Sequence, residues 1–270
     1  MPRLKRVILP WIAVNVMLAN FIFAQPIQPS SFEKKILVIP EGQSRTFMFT
    51  NRLGVFYYGE TGSPNSSAFQ GLSYLTEKIL DDYVIELNGV ELSRTKAEVQ
   101  LVGDKLIRLY KSCSIEEEVA LADSLPILIV RLKSKQKTPV AVAPLIASSE
   151  SGQNFTLDWS RADKILHINN TRILAQNADS NSHVWIGVYS YPEGEYSPGE
   201  IEPFNQKSRL NQSDIFCPGK LNVYLESEAV IFFIIGNSKN EVLKIRNRML
   251  RKLNIELQKP QSQIEGVRQA

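Results

Sequence analysis

The sequence predicts a mainly β protein, a large antiparallel β-sandwich followed by one C-terminal amphipathic helix. Three observations carry that expectation. Residues Lys105–Ile146 read as four strand patterns in succession, similar patterns return between residues 155 and 235, and helical periodicity is clear only after Asn237. Alternation of apolar and polar residues at period two marks a half-buried strand, and a short run apolar on both faces marks a buried one.

At 270 residues the chain is long enough for a full core in one sandwich domain. A hydrophobic fraction of 43% with 22% charged residues argues against wholesale disorder. A net charge of +3 argues against an extended nucleic-acid surface, and part of it lies in the first six residues.

Those residues open a leader-like segment. Arg3, Lys5 and Arg6 form a positive start, Val7–Phe23 is largely apolar, and Ile22-Phe23-Ala24 suits cleavage before Gln25. This is the anatomy of a secretory signal peptide over residues 1–24, and it implies a periplasmic or secreted protein. The competing reading is an uncleaved anchor, which Pro10, Asn15 and Asn20 weaken as a span. Membrane contact is expected only if that segment is uncleaved. Residues 25–32 read as a short disordered lead-in.

The sandwich is expected over residues 33–237. Its first strands are Lys35–Pro40 and Arg45–Thr50. The stretch Asn51–Leu72, NRLGVFYYGETGSPNSSAFQGL, reads as one long loop carrying Gly54, Gly59, Gly62 and Gly71. Loops of this length in compact domains are functional or disordered. The spacing is not that of a phosphate-binding loop, since no Lys-Ser/Thr pair follows. A ligand-binding loop and an Ω-like surface loop both remain open.

The central run follows. Leu106–Tyr110 alternates, and Ser114–Leu121 places Ile115, Val119 and Leu121 opposite Glu116 and Glu118. Pro126–Leu132 is apolar on both faces, and Val140–Ile146 is close to that. The connectors are short and polar, so the four are expected to pair as an antiparallel meander in the inner layer. Glu117 shares the face of Ile115 and Val119, which predicts a sheet edge or a bulge there. Asp81-Asp82 reads as a cap of a turn or strand.

Later strands are expected at Phe155–Trp159, Lys164–Ile168, Val184–Ser190, Leu221–Leu225 and Val230–Ile235, with long irregular stretches at Asn169–Ser182 and Tyr191–Gly219. Trp185, Tyr189, Tyr191, Tyr196 and Phe204 either stack on sugar rings or cover the sheet; the second reading is favoured. Ser238-Lys239-Asn240-Glu241 is a capping box opening a helix to about Glu256, with Val242, Ile245, Met249, Leu250 and Leu253 on one stripe. That helical segment, residues 238–257, is basic on its polar positions, as membrane-surface helices are, but its stripe holds no large aromatic residue. Residues 258–270 are expected to be a disordered tail.

No chemistry stands out. His167 and His183 lack ligand-spaced neighbours, so no metal or other cofactor is expected. Glu116, Glu117 and Glu118 alternate faces and do not converge on one bond. Cys113 and Cys217 could close a disulfide in an exported chain, but two separate buried thiols are favoured.

Several ordered motifs nonetheless resemble one family. Thr50-Asn51-Arg52-Leu53-Gly54, then Gly59, Gly62, Asn65 and Phe69-Gln70-Gly71-Leu72, are similar to the glycine loop of the N-terminal domain of bacterial- and archaeal-type glycogen debranching enzymes. Ile115–Val119, Leu128–Leu132 with Arg131, Pro139–Ile146, Tyr191-Pro192-Glu193 and Ser213–Gly219 continue the resemblance over about residues 45–236. It implies a supersandwich-like fold and α-glucan or oligosaccharide recognition. The candidate carbohydrate- or partner-binding residues it implies are Asn51, Asn65, Phe69, Gln70, Tyr191, Glu193 and Asp214. The departures sit at polar positions: Ser66-Ser67-Ala68 replace basic residues, Gln70 replaces a histidine, Ala147–Glu150 replace an Arg–His segment, and Ser213 replaces an acid.

The family's catalytic carboxylates belong to an α/α barrel that does not occur in these 270 residues. The resemblance therefore implies a non-catalytic chain with no catalytic residue of its own. Two alternatives stay open: an accessory subunit that pairs through its helix with a separate glycosidase catalytic domain, and a truncated frame with a barrel encoded downstream.

Overall fold

A computed structural model describes residues 36–67, 69–75, 77–147, 155–170, 184–199 and 215–257. The strands run β1 (Ile36–Ile39), β2 (Thr46–Thr50), β3 (Val55–Glu60), β4 (Gly71–Tyr74), β5 (Glu77–Leu80), β6 (Asp82–Leu87), β7 (Val90–Glu91), β8 (Glu98–Val102), β9 (Lys105–Tyr110) and β10 (Ile115–Leu121). They continue as β11 (Ile127–Ser134), β12 (Thr138–Ala147), β13 (Phe155–Ser160), β14 (Ile165–Asn170), β15 (Trp185–Tyr191), β16 (Glu195–Pro198), β17 (Ile215–Phe216), β18 (Gly219–Leu225) and β19 (Glu228–Gly236), and helix α1 spans Lys239–Leu257.

One layer is a nine-stranded sheet in the order β1-β8-β9-β10-β11-β19-β15-β14-β13. Against it pack a sheet in the order β16-β18-β12-β6-β7, with β17 beside β12, and a four-stranded sheet β2-β3-β4-β5. Every strand pair among the described residues is antiparallel, as at β10–β11, β12–β6 and β2–β3. The mainly β sandwich with a C-terminal helix is thus what the chain forms. Val119, Val130, Ile231 and Phe233 of the large sheet meet Tyr83, Val142, Val223, Tyr57 and Leu72 of the facing sheets in one continuous core.

Four expectations about the strands are corrected. The fourth strand of the central run, β12, does not pair with β11; it crosses to the second layer between β18 and β6. A three-residue connector serves a corner as readily as a hairpin. The vacant side of β11 goes to β19, whose AVIFFII run buries apolar residues on both faces. The stretch 51–72 is not one loop, because Val55–Glu60 forms β3 with buried Val55 and Tyr57 alternating with half-buried Phe56 and Tyr58. Glu117 sits at neither an edge nor a bulge: β10 is central, in unbroken register with β9 and β11. In the region 191–219, strand β16 interrupts the expected irregular stretch, and residues 200–214 lie outside the described residues.

The outer face of the large sheet divides in two. Over β8–β11 it is crossed by ion pairs, Lys105–Glu118 and Lys133–Glu116 at 2.8 Å and Arg131–Glu228 at 3.4 Å. Over β14, β15 and β19 it is apolar, and α1 covers it. Val242, Ile245 and Met249 pack there on Ile165, Tyr189, Val230, Phe232 and Ile234. The helix begins where the capping box predicts. The Ser238 hydroxyl accepts from Glu241 N–H at 3.1 Å, and the Glu241 carboxylate accepts from Asn237 N–H at 2.8 Å. Gly187 allows the close approach, since a Cβ there would stand 2.3 Å from Val242 Cγ1. The apolar stripe is therefore occupied by the chain's own sheet. Cys113 is half-buried, Cys217 is buried and both are free thiols.

Candidate functional site

The loop after β3 is fixed from beneath. Its Thr61 carbonyl accepts from Arg108 Nε at 2.7 Å, and its Thr61 hydroxyl accepts from Arg45 N–H at 2.8 Å. Asn65 is buried and fully engaged. Its Oδ1 accepts from Glu60 N–H, its amide donates to the Asp81 carbonyl at 2.8 Å, and its backbone N–H donates to Asp82. Gln70 is buried too: its Oε1 accepts from the Ser66 and Ser67 N–H groups, and its amide donates to Glu60 Oε1 at 2.8 Å. Asn65 and Gln70 thus hold the loop's shape instead of facing a ligand.

What the loop presents is Phe69, 82% exposed, with its N–H donating to the Ser67 hydroxyl. Two residues on, Gly71 pairs with Tyr58 of β3, and Tyr58 pairs on its other side with Met48 of β2. Gly71, at φ +130°, offers no side chain to that row, and Lys78 Cε passes 2.9 Å from where its Cβ would be. The outward positions of the small sheet therefore carry Met48, Phe56 and Tyr58, with Glu60 and Gln70 joined at one border and Lys78 paired with Asp81 at another. An aromatic surface edged by fixed polar groups suits the C–H faces and hydroxyls of a sugar.

The other predicted residues are elsewhere. Asn51 precedes β3, whereas the loop follows it, which sets them about 20 Å apart along the strand. Its side chain accepts from Leu53 and Val55 N–H and donates to the Ala122 and Leu125 carbonyls, tying two turns together. Tyr191, the last residue of β15, and Glu193 just after it are exposed, and no described contact joins them to the loop. Asp214 lies outside the described residues, as do Phe204 and His183. Trp185 and Tyr189 lie under α1, where Lys239 and Arg246 stack on them. Tyr196 packs on Trp159.

The most concentrated electrostatics are internal, and pattern reading left them out. Glu117 and Arg108, both without solvent exposure, pair at 2.8 Å. Tyr83 and Tyr110 donate their hydroxyls to the two Glu117 oxygens. Burial pushes the Glu117 carboxyl up, but Arg108, Arg94 and the two tyrosine hydrogen bonds outweigh it and hold the group below its ordinary value. Burial, then Glu117, pushes both tyrosine hydroxyls well above theirs. Beside them Arg94 grips Asp82 with two nitrogens at 2.8 and 2.9 Å, donates to the Tyr83 carbonyl and stacks on the Tyr83 ring. Asp82 is thus an interior anchor, and the expected cap role is too small a description. The Tyr57 hydroxyl is buried and has no hydrogen-bond partner among the described residues.

Among the described residues no three His, Cys, Asp or Glu side chains are placed to hold a metal ion. An open depression of about 670 Å³ lies at the β9–β10 turn, with Lys111, Glu116, Lys133 and Lys135 on its rim. Tyr110 separates it from the narrow cleft that Pro64 and Arg94 line.

No family model matches the chain, and no curated protein matches it. Among solved structures, the chain is similar to a bacterial glucoamylase complexed with acarbose, at TM-score 0.48 and 14% identity, covering 80% of this chain and 38% of that one. It is also similar to a heparinase III, at 0.40 and 10%, covering 75% and 37%. A third is a polysaccharide lyase, at 0.32 and 13%, covering 63% and 27%. The names are those of carbohydrate-active enzymes, and this chain spans about two fifths or less of their lengths. Likeness this distant carries no argument about activity.

Proposed function

We propose that this chain is an exported, non-catalytic β-sandwich that recognises an α-glucan or related oligosaccharide through the outer face of its small sheet. The observation that carries this is Phe69. A phenyl ring held 82% exposed beside Gln70, whose side chain accepts from the Ser66 and Ser67 N–H groups and donates to Glu60, is a preorganised contact. Tyr58 and Phe56 extend the aromatic surface, and Glu60 and Lys78 supply hydrogen-bonding groups at its border.

The carboxylates support the non-catalytic reading. Glycoside hydrolysis takes two carboxyl groups about 5–10 Å apart across an accessible bond. Here Glu117 and Asp82 are sealed in the core, and Glu116 and Glu118 are held by lysines on the ladder face. Export rests on the leader-like first 24 residues.

Titration of maltooligosaccharides into the purified chain by calorimetry is the test. Saturable heat that Phe69→Ala abolishes, with the fold intact, supports the reading; no heat at millimolar ligand sinks it.

A further inference from the structure

The solvent face of α1 gathers cations into one row. On the sheets, cations meet acids, as at Lys105–Glu118, Lys133–Glu116 and Lys220–Glu86. On α1 itself, Lys239 pairs with Asp158 at 2.7 Å and Arg246 with Asp163 at 3.0 Å. Lys244, Arg248 and Arg251 have no acidic partner among the described residues. They are exposed and, with Asn247, line a shallow depression of about 290 Å³.

Their spacing makes this a row. Positions i, i+4 and i+7 share one face and span about 10 Å along the axis. Like charges so placed repel one another, and among the described residues no acid forms an ion pair with them. Asn247 contributes an amide. Its Oδ1 accepts from Arg246 at 3.0 and 3.2 Å, and its Nδ2 has no acceptor among the described residues.

Two anionic partners fit such a row less well. A basic amphipathic helix binds a membrane by inserting its apolar face, and here Val242, Ile245 and Met249 are already buried on the sheet. A nucleic acid would need a wider basic field than three cations on a chain of net charge +3. A linear row of cations with an amide donor beside it matches a polymer that bears both anionic groups and hydroxyls.

We propose that the outward face of α1 binds an anionic polysaccharide whose sugar units carry carboxylate or sulfate groups. The site is separate from the Phe69 surface, so either can fail without the other.

The test uses the full chain on immobilised polygalacturonate and dextran sulfate, with neutral dextran, polyglutamate and phosphatidylglycerol vesicles as comparison probes. The expected result is salt-sensitive binding to one or both acidic glycans. The triple variant Lys244→Gln/Arg248→Gln/Arg251→Gln should weaken it at least tenfold with an unchanged melting temperature. The charge-matched triple Arg52→Gln/Lys96→Gln/Arg161→Gln, at scattered exposed positions, should weaken it less than threefold. Asn247→Ala should weaken glycan binding about threefold and leave polyglutamate unaffected. No binding to either acidic glycan, equal loss in both triples, or equal affinity for polyglutamate or the vesicles would overturn the proposal. The last outcome would assign the face to a general or lipid anion.

Discussion

Arg108 and Glu117 occupy directly opposed positions on β9 and β10, both sealed from solvent, with Nη1 2.8 Å from Oε1. The pair also bridges the layers. Arg108 donates to the Glu60 carbonyl of the small sheet and the Thr61 carbonyl just after it, and Glu117 accepts from Tyr83 of the second sheet. Removing one partner from a buried pair leaves an uncompensated charge, which costs about 3–5 kcal/mol. Glu117→Gln should therefore lower unfolding free energy by that amount in denaturant titrations, and Arg108→Met/Glu117→Leu should recover at least half of it. A double variant no better than the single would mean that the bridging to Tyr83 and Thr61, not the charge pairing, dominates.

That pair shows what the sequence made legible. Strands such as Leu106–Tyr110 and Ser114–Leu121 were readable because one face is buried and period two is then enforced. The same patterns place Arg108 and Glu117 inward, and a four-residue turn at Lys111–Ser114 brings Tyr110 opposite Ile115 and hence Arg108 opposite Glu117. An inward charge on two neighbouring strands is the signature of a buried pair, and each alone looks like an edge. The path of β12 was not readable, because local alternation is the same whichever sheet a strand joins. Within the candidate site, Phe69 was legible, but Tyr58 and Phe56 were hidden inside a stretch whose glycines made it look like loop. Asn65 and Gln70 are buried and bonded within the chain, a role their sequence context does not separate from ligand binding: short polar side chains near glycines stabilise turns as often as they meet ligands.

Gly187 and Val242 should be energetically coupled. Adding a methyl group at Gly187 drives it into Val242 Cγ1 and toward Ile165 Cδ1, at 2.3 and 2.7 Å. Overpacking of this kind costs about 1–3 kcal/mol. Gly187→Ala should destabilise by that much, while Gly187→Ala/Val242→Ala should lose less than the sum of the single changes. Additive losses in thermal unfolding would place α1 off this face.

Stability should fall on acidification in two steps. His167 is buried beside Trp185, and its Nδ1 has no partner among the described residues. Burial lowers its pKa, as do Lys239 and Arg246, against the opposing pull of Asp158 and Asp163. A folded-state pKa below the unfolded value of about 6.5 means that the contribution is complete above pH 6.5 and is lost as pH falls through the folded value. Glu117, also depressed, contributes above about pH 4.5 and is lost below it. Melting temperature followed from pH 8 to 3 should show both declines, and His167→Gln should remove the first alone. An unchanged upper step in that variant would exclude His167 as its source.

The purified chain should release no reducing sugar from glycogen, pullulan or maltoheptaose at any pH tried. Glu116, Glu117 and Glu118 point to alternate faces of β10, and their carboxylates are held by Lys133, the Arg108–tyrosine cluster and Lys105. Assays with Glu116→Gln, Glu117→Gln and Glu118→Gln alongside make the expectation sharp. Turnover above background that disappears in any one of them would make the chain a hydrolase.

Phe69→Ala and Asn51→Ala should separate binding from stability. Asn51 makes four hydrogen bonds that tie the β2–β3 turn to the β10–β11 turn, and it is far along the strand from the exposed ring. Truncating it removes the side-chain partner of the Ala122 carbonyl and of the Leu53 and Val55 N–H groups, while the Leu125 carbonyl keeps Ile127 N–H, a cost of about 1–3 kcal/mol. Phe69 is 82% exposed and contributes little burial, so its truncation should leave the melting temperature within about one degree, as for a surface substitution. For maltooligosaccharide binding the order reverses. Loss of one stacked ring should raise Kd by about tenfold, whereas Asn51→Ala should leave Kd unchanged at temperatures where it stays folded. Gln70→Ala belongs between them: it frees the Ser66 and Ser67 N–H groups that set the loop's course, so it should cost both some stability and some affinity. If Asn51→Ala weakens binding and Phe69→Ala does not, the ligand surface lies at the other end of β3, and the small-sheet face is only a cover for the core.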